Sequence, residues 1–239
     1  MTDNIPPSIT SNVREQLRAL VVGAHGNLGR ACVNIFSQDG WEVISWVRDV
    51  VEQPGERQVD AADPSAVAAA LKGEKYDLVV LAQGYQKPNL LRDGLAHWPE
   101  IFRSNLQANL VTTVGLLQAE ALRPGALVVY CSSIQAVAPR PGRGLYAIAK
   151  AGTEALMRTL AVEAKDISAR AVALRMGQLS TPMRNIHFAP AELSYLLSRA
   201  PLGQPEPTDV ARFILALYEQ PALTGCVIDL DGGHRLNVW

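Results

Sequence analysis

Cysteine is scarce in this chain. Only Cys32, Cys131 and Cys226 occur among 239 residues. They are odd in number, far apart, and show no C-x-x-C spacing, which argues against a disulfide frame or a zinc ribbon. Reduced thiols in a cytoplasmic protein are the expectation. Charge of one sign is also lacking: 22 basic and 23 acidic residues leave a formal net charge of −1. That balance removes the electrostatic footprint expected for nucleic acid or an anionic membrane as partner. No apolar run approaches the ~20 residues needed to span a bilayer. The opening MTDNIPPSITSNVREQ has no basic segment followed by an apolar core, so it does not read as a secretory signal. Residues 1–16, with Pro6 and Pro7, read as a loose tail. Repeats, low-complexity blocks and an interdomain linker are missing too, so the expectation is a single domain over 1–239.

What is present is alternation. LRALVVG (17–23) ends in an apolar run and reads as a first strand, with a helix from about Arg30 to Gln38. A second strand is expected over Gly40–Val47, a third ending near Val59, and a fourth over Tyr76–Leu81. Trp98–Leu122 reads as one long helix, Leu127–Tyr130 as a buried strand, and Tyr146 to about Glu163 as a helix of small residues and good helix formers. Ala169–Leu174 is the sixth strand, Thr208 to about Leu217 a helix, and Gly225–Gly233 a seventh strand and turn. Strands alternating with helices predict an α/β fold: a doubly wound, Rossmann-like parallel sheet of about seven strands with helices on both faces.

The first strand runs into Gly23-Ala24-His25-Gly26-Asn27-Leu28-Gly29. Strand, glycine turn and helix together give such a motif meaning. The glycines allow a tight turn and close approach to a pyrophosphate, and a helix start offers free N–H groups and a positive dipole end to phosphates. Gly23, His25, Asn27, Leu28 and Gly29 are therefore candidate cofactor-binding residues. The end of the second strand bears on the choice between NAD and NADP. Val47 stands where an acid would accept hydrogen bonds from a ribose, and Arg48 follows, able to pair with a 2′-phosphate. NADP(H) is favoured over NAD(H), with Asp49 the competing residue. Arg30 could add to the phosphate site.

Tyr146 and Lys150, four residues apart at a helix start, lie on one helical face. An ammonium beside a phenol favours the phenolate, and an ordinary phenol, titrating near pH ~10, needs such help to exchange protons near neutrality. Ser133 precedes the tyrosine by thirteen residues and closes the preceding strand. A serine, then Tyr-x-x-x-Lys, behind a glycine-rich turn, resembles the short-chain dehydrogenase/reductase family from about Leu17 to Gly233. G-x-x-G-x-x-G spacing is closer to that family's extended and atypical branches than to its usual G-x-x-x-G-x-G. Leu81-Ala82-Gln83-Gly84 departs from the family's Asn-Asn-Ala-Gly, so other groups must supply those asparagines' hydrogen bonds.

The resemblance implies an NADPH-dependent oxidoreductase of ketoreductase type, moving a hydride between a nicotinamide and a carbonyl or secondary alcohol. It assigns Ser133, Tyr146, Lys150 and Asn105 to catalysis, with Asn109 the rival for the last. Lys150 would bind the nicotinamide ribose and lower the tyrosine's pKa, and Asn105 would support proton resupply. Asp60 would approach the adenine, while Asp63 followed by Pro64 reads as a helix cap. Ala82 and Gly84 would lie along the cofactor. Arg175 to Met183 resembles the family's P-G-x-x-x-T-P-M stretch, which places Gly177, Leu179 and Thr181 beside the nicotinamide. Residues 184–207 would form a substrate lid, with His187, Phe188, Tyr195 and Leu196 as candidate pocket residues. A small carbonyl or alcohol substrate and a homodimer or homotetramer are the implied partners, with no metal. Epimerisation or dehydration on the same scaffold, and dinucleotide sensing without catalysis, are the alternative readings.

Overall fold

The computed structural model describes residues 16–180, 194–195 and 198–236. Its framework is a parallel sheet of seven strands: β1 (Arg18–Val22), β2 (Glu42–Val47), β3 (Glu56–Gln58), β4 (Tyr76–Leu81), β5 (Leu122–Ser133), β6 (Arg170–Met176) and β7 (Val227–Leu230). The order across the sheet is β3-β2-β1-β4-β5-β6-β7. Chain direction across the sheet reverses at β1 and β4, which pair from Ala19↔Leu78 to Val22↔Leu81. Such a switch opens a crevice beyond the carboxyl ends of the strands, where doubly wound folds take their ligands.

Period-2 alternation within the buried strands builds two cores, one on each sheet face. Leu20, Val22, Trp46 and Val79 face one side and pack with Val67 and Leu71 of α2 (Pro64–Leu71), Leu116 of α4 (Ala108–Gln118) and Met157 and Leu160 of α5 (Gly144–Glu163). Ala19, Val21, Leu78 and Val80 face the other, against Cys32 and Phe36 of α1 (Asn27–Gln38) and Ile214 and Leu217 of α6 (Pro207–Tyr218). Each fully buried side chain of this size contributes roughly 1.5–3 kcal/mol of apolar transfer.

Two helix boundaries differ from expectation. α1 begins at Asn27, three residues before Arg30, because Gly26 is extended (φ −68, ψ 158) and serves as its N-cap. The expected helix over Trp98–Leu122 is three pieces: α3 (Trp98–Phe102), a π-turn (Arg103–Gln107) and α4, which stops at Gln118. Leu122 already belongs to β5, paired with Tyr76. The π-turn widens the helix around Asn105, whose side chain reaches back to two carbonyls (Tyr85 O, 2.6 Å, and Ile101 O, 2.8 Å).

Candidate active site

The glycine turn is held by contact and by conformation. Gly23 has φ +84, and a Cβ there would lie 2.8 Å from the Gln83 backbone. A Cβ on Gly29 would lie 2.3 Å from the Gly23 carbonyl oxygen, so α1 sits directly against the turn. α1 carries no acidic residue in its first turn and no side-chain cap. Its first N–H groups therefore have no intrahelical acceptor, at the helix end that follows the turn.

A cavity of about 250 Å³ occupies the crevice. Gly23, His25, Gly26, Arg48, Asp60, Ala82 and Gly84 are among its lining residues. Asn27, Leu28 and Gly29 are not; Leu28 and Gly29 are buried behind the turn. Arg48 stands at the rim, 73% exposed in its side chain, with its Nε 3.5 Å from Asp49. His25 Nε2 lies 3.1 Å from Glu56, and Arg30 pairs with Glu52 at 3.4 Å, outside the cavity wall. Glu56 is held below the usual carboxylate range: burial pushes it up, but the Glu52 and Gln53 N–H groups and His25 outweigh that. Asp63 caps α2 as expected, accepting from Ser65 N (2.8 Å) and Ala66 N (3.2 Å). Asp60 lines the crevice, and its carboxylate is engaged by Ala62 N and by the Arg103 guanidinium. Arg103, Ser104 and Gln83 also line it and were missed from the sequence, because β4 and the π-turn reach the crevice only through the fold.

The Gln83 departure has a structural answer. Gln83 Nε2 donates to Asn109 Oδ1 at 2.6 Å, and Asn109 Nδ2 donates to the Asn105 carbonyl (2.8 Å) and contacts Thr153 Oγ1 (3.2 Å). Thr153 Oγ1 also donates to the Asn105 carbonyl at 2.9 Å. A side chain one methylene longer than asparagine thus joins the loop after β4 to α4 and, through Asn109, to the π-turn and α5. Asn105 and Asn109 are both fully buried, as partners in one network.

Ser133 ends β5, accepts from Gln135 N at 3.2 Å, and faces Tyr146 at the start of α5. Lys150, one turn on, is buried (3% exposed) and donates to the Cys131 carbonyl at 2.7 Å. Its Nζ lies 5.6 Å from the centre of the Tyr146 ring. A Cβ on Gly84 would stand 3.6 Å from that Nζ, so the lysine reaches the floor of the glycine crevice. Tyr146 itself lines a second cavity of about 220 Å³ with Ser133, Gly177, Leu179 and Gln178.

The electrostatics correct one expectation. Tyr146 is not acidified in this arrangement: burial pushes its phenol up to about 12, while Ser133 and the charge of Arg143 offset only part of that. Lys150 is instead the perturbed group, brought down to about 8 by burial. Both shifts have one cause, since a low-dielectric site disfavours phenolate and ammonium alike. Cys131, buried and pushed up to about 11, is a packed thiol. Thr181, His187, Phe188 and Leu196 lie outside the described residues, as does much of the 184–207 segment. Tyr195 is exposed and accepts from Arg199 at 2.8 Å.

Residues 23–235 match a family model described as enoyl-(acyl carrier protein) reductase. The chain belongs to the short-chain dehydrogenase/reductase family. It is similar to an uncharacterized short-chain type dehydrogenase/reductase y4vI of Sinorhizobium fredii, at 29% identity over 90% of this chain and 43% of that protein. It is also similar to the 3-oxoacyl-[acyl-carrier-protein] reductase FabG of Thermotoga maritima, at 28% identity over 90% and 96% of the two chains. Among solved structures, a blue fluorescent protein from a metagenomic library, crystallised with NADPH, superposes with TM-score 0.78 at 22% identity, covering 91% of this chain and 97% of its own. This family member is an NAD(P)-dependent oxidoreductase acting on CH-OH and C=O groups. A dinucleotide fits the residues present. The glycine cradle leaves no room for Cβ atoms at Gly23 and Gly29, α1 starts directly behind the turn, and the cavity is lined from Arg48 to Gly84. Among the described residues no cluster of His, Cys, Asp or Glu could hold a metal, and no helix is long and apolar enough to cross a membrane.

Proposed function

We propose that this chain is an NADPH-dependent ketoreductase whose acid/base is Tyr146. One observation carries the reading: Lys150 Nζ approaches Gly84 of the glycine crevice, 3.6 Å from where a Cβ would stand, while Tyr146, one turn earlier, lines a second cavity with Ser133. The crevice residues Gly23, Gly26, Asp60, Ala82 and Gly84 would hold the dinucleotide, and Gly177 and Leu179 its nicotinamide end. Arg48 at the rim supports NADP over NAD, because a guanidinium pairs with a 2′-phosphate. The cofactor, when bound, supplies the hydride.

This chain's own residues handle the oxygen. Ser133 donates a hydrogen bond to the substrate carbonyl, which orients it and stabilises charge as it develops. Tyr146 gives its phenolic proton to that oxygen. A phenol held neutral by burial is protonated over the whole physiological range, as the reductive direction needs. Lys150 holds the ribose and keeps a positive charge near the phenolate left behind. Asn105 holds the π-turn against the loop after β4 and against α5. Leu110, Val114 and Ile148, exposed on α4 and α5, support a homo-oligomer formed through that face. Three free thiols support a reducing cytoplasmic setting.

Tyr146→Phe tests the assignment. The variant should keep its fold and NADPH binding and lose turnover of a ketone panel by about 10²–10⁴-fold. Turnover at the parent rate would remove Tyr146 from the reaction.

A further inference from the structure

The second cavity has a charged wall that the hydride chemistry does not require. Arg140 comes from the loop between Ser133 and α5 and lines the cavity beside Ser133 and Tyr146. Gln135 Oε1 accepts from its main-chain N at 2.9 Å, which pins the loop. The Arg140 Nε is buried and has no hydrogen-bond partner. A buried guanidinium N–H without an acceptor is costly, and a ligand oxygen would remove that cost. His234 stands on the same wall, reached from the far end of the chain by the turn after β7. Burial, then the charges of Arg140 and Arg199, hold its ring below the usual histidine range. Arg140 and His234 therefore line one common space. Among the described residues no acidic side chain lines it. Asp231, whose charge acts on His234, is turned to its own backbone, accepting from Gly233 N (2.9 Å) and Arg235 N (2.7 Å).

We propose that the substrate carries an oxyanion close to its reacting carbonyl, and that Arg140 binds it. This rests on the ketoreductase reading and narrows it to short oxo acids. A planar guanidinium matches a carboxylate in two parallel hydrogen bonds. Arg140, Ser133 and Tyr146 line one partly open space of about 220 Å³, so an oxyanion held at Arg140 stands close to a carbonyl held at Ser133 and Tyr146.

Matched pairs test this. Acetoacetate and levulinate are compared with their methyl esters, and dihydroxyacetone phosphate with dihydroxyacetone, by loss of NADPH absorbance. The acids should exceed their esters in kcat/KM by about tenfold or more, since the esters leave the buried donor unpaired. Arg140→Gln should collapse that ratio toward one, chiefly through KM, and Arg140→Lys should keep part of it. A preference confined to the phosphorylated ketone assigns the same site to phosphate instead of carboxylate. Esters preferred over acids, or a ratio unchanged in Arg140→Gln, would overturn the proposal. If the parent protein binds NADPH but reduces none of these, the ketoreductase reading fails first, and calorimetric titration with acetoacetate decides the site. Binding lost in Arg140→Gln upholds it, and no binding to the parent protein ends it.

Discussion

Replacing Lys150 by arginine should move the pH dependence of cofactor use. Lys150 is 3% exposed and holds the Cys131 carbonyl at 2.7 Å, with its Nζ 5.6 Å from the Tyr146 ring centre. Burial brings its pKa from 10.5 down to about 8. At about 1.4 kcal/mol for each pH unit, that drop is a cost of roughly 3 kcal/mol to hold the ammonium in place. The sign follows from proton uptake. Below about pH 8 the folded chain carries the charge and the whole cost. Between about 8 and 10.5 it has released the proton while the unfolded chain still holds it, so this group's contribution to stability rises with pH. Function runs the other way, because the ribose-holding charge is lost over the same window. kcat/KM for NADPH, at saturating ketone, should fall roughly tenfold between pH 7 and 9, since it reports the free enzyme. The NADPH Kd should weaken in parallel. Cys131 at about 11 and Tyr146 at about 12 lie above this window and cannot supply the limb. In Lys150→Arg the guanidinium stays charged, so the limb near pH 8 should disappear from the Kd profile even if turnover is low. A limb that persists unchanged in Lys150→Arg, or a flat parent profile from pH 7 to 9, would refute the argument.

Gly29→Ala should abolish NADPH binding in a fluorescence titration and lower stability by about 1–3 kcal/mol, because its methyl would press on the Gly23 carbonyl. Glu154→Ala should cost about 1.5–3 kcal/mol in urea unfolding. Its buried carboxylate holds Arg175 through two hydrogen bonds (3.0 and 2.7 Å) and accepts from Ser132 at 2.7 Å, so the mutation leaves Arg175 with Asp229 alone, at 3.1 Å. Arg48→Ala should raise KM for NADPH at least about fivefold and leave KM for NADH nearly unchanged, since an exposed cation meets only the 2′-phosphate. Equal effects on both cofactors would move the 2′-phosphate contact elsewhere on the rim.

The parallel sheet was legible because its signals are local. Apolar β-branched runs, the Asp63-Pro64 cap and the glycine spacing each depend on neighbours within one turn or strand. Ser133, Tyr146 and Lys150 were legible for the same reason: two share a helical face, and the third closes the adjoining strand. The long helix was misread because nothing in its own composition distinguishes a π-turn from regular helix. Asn105 is drawn out by carbonyls of Ile101 and Tyr85, the second twenty residues away.

Sequence by itself determined the alternation of strands and helices, the glycine turn and the placing of Tyr146 and Lys150 on one helical face, all of which need only short-range geometry. Tertiary structure decided what surrounds them. It brought His234 to Arg140 across 94 residues, tied Gln83 to Asn109, and set Glu154 beneath Arg175. It also reversed the expected electrostatics, raising Tyr146 and lowering Lys150. The reason is that ionisation depends on how much water the folded chain removes, and spacing along a sequence does not record burial.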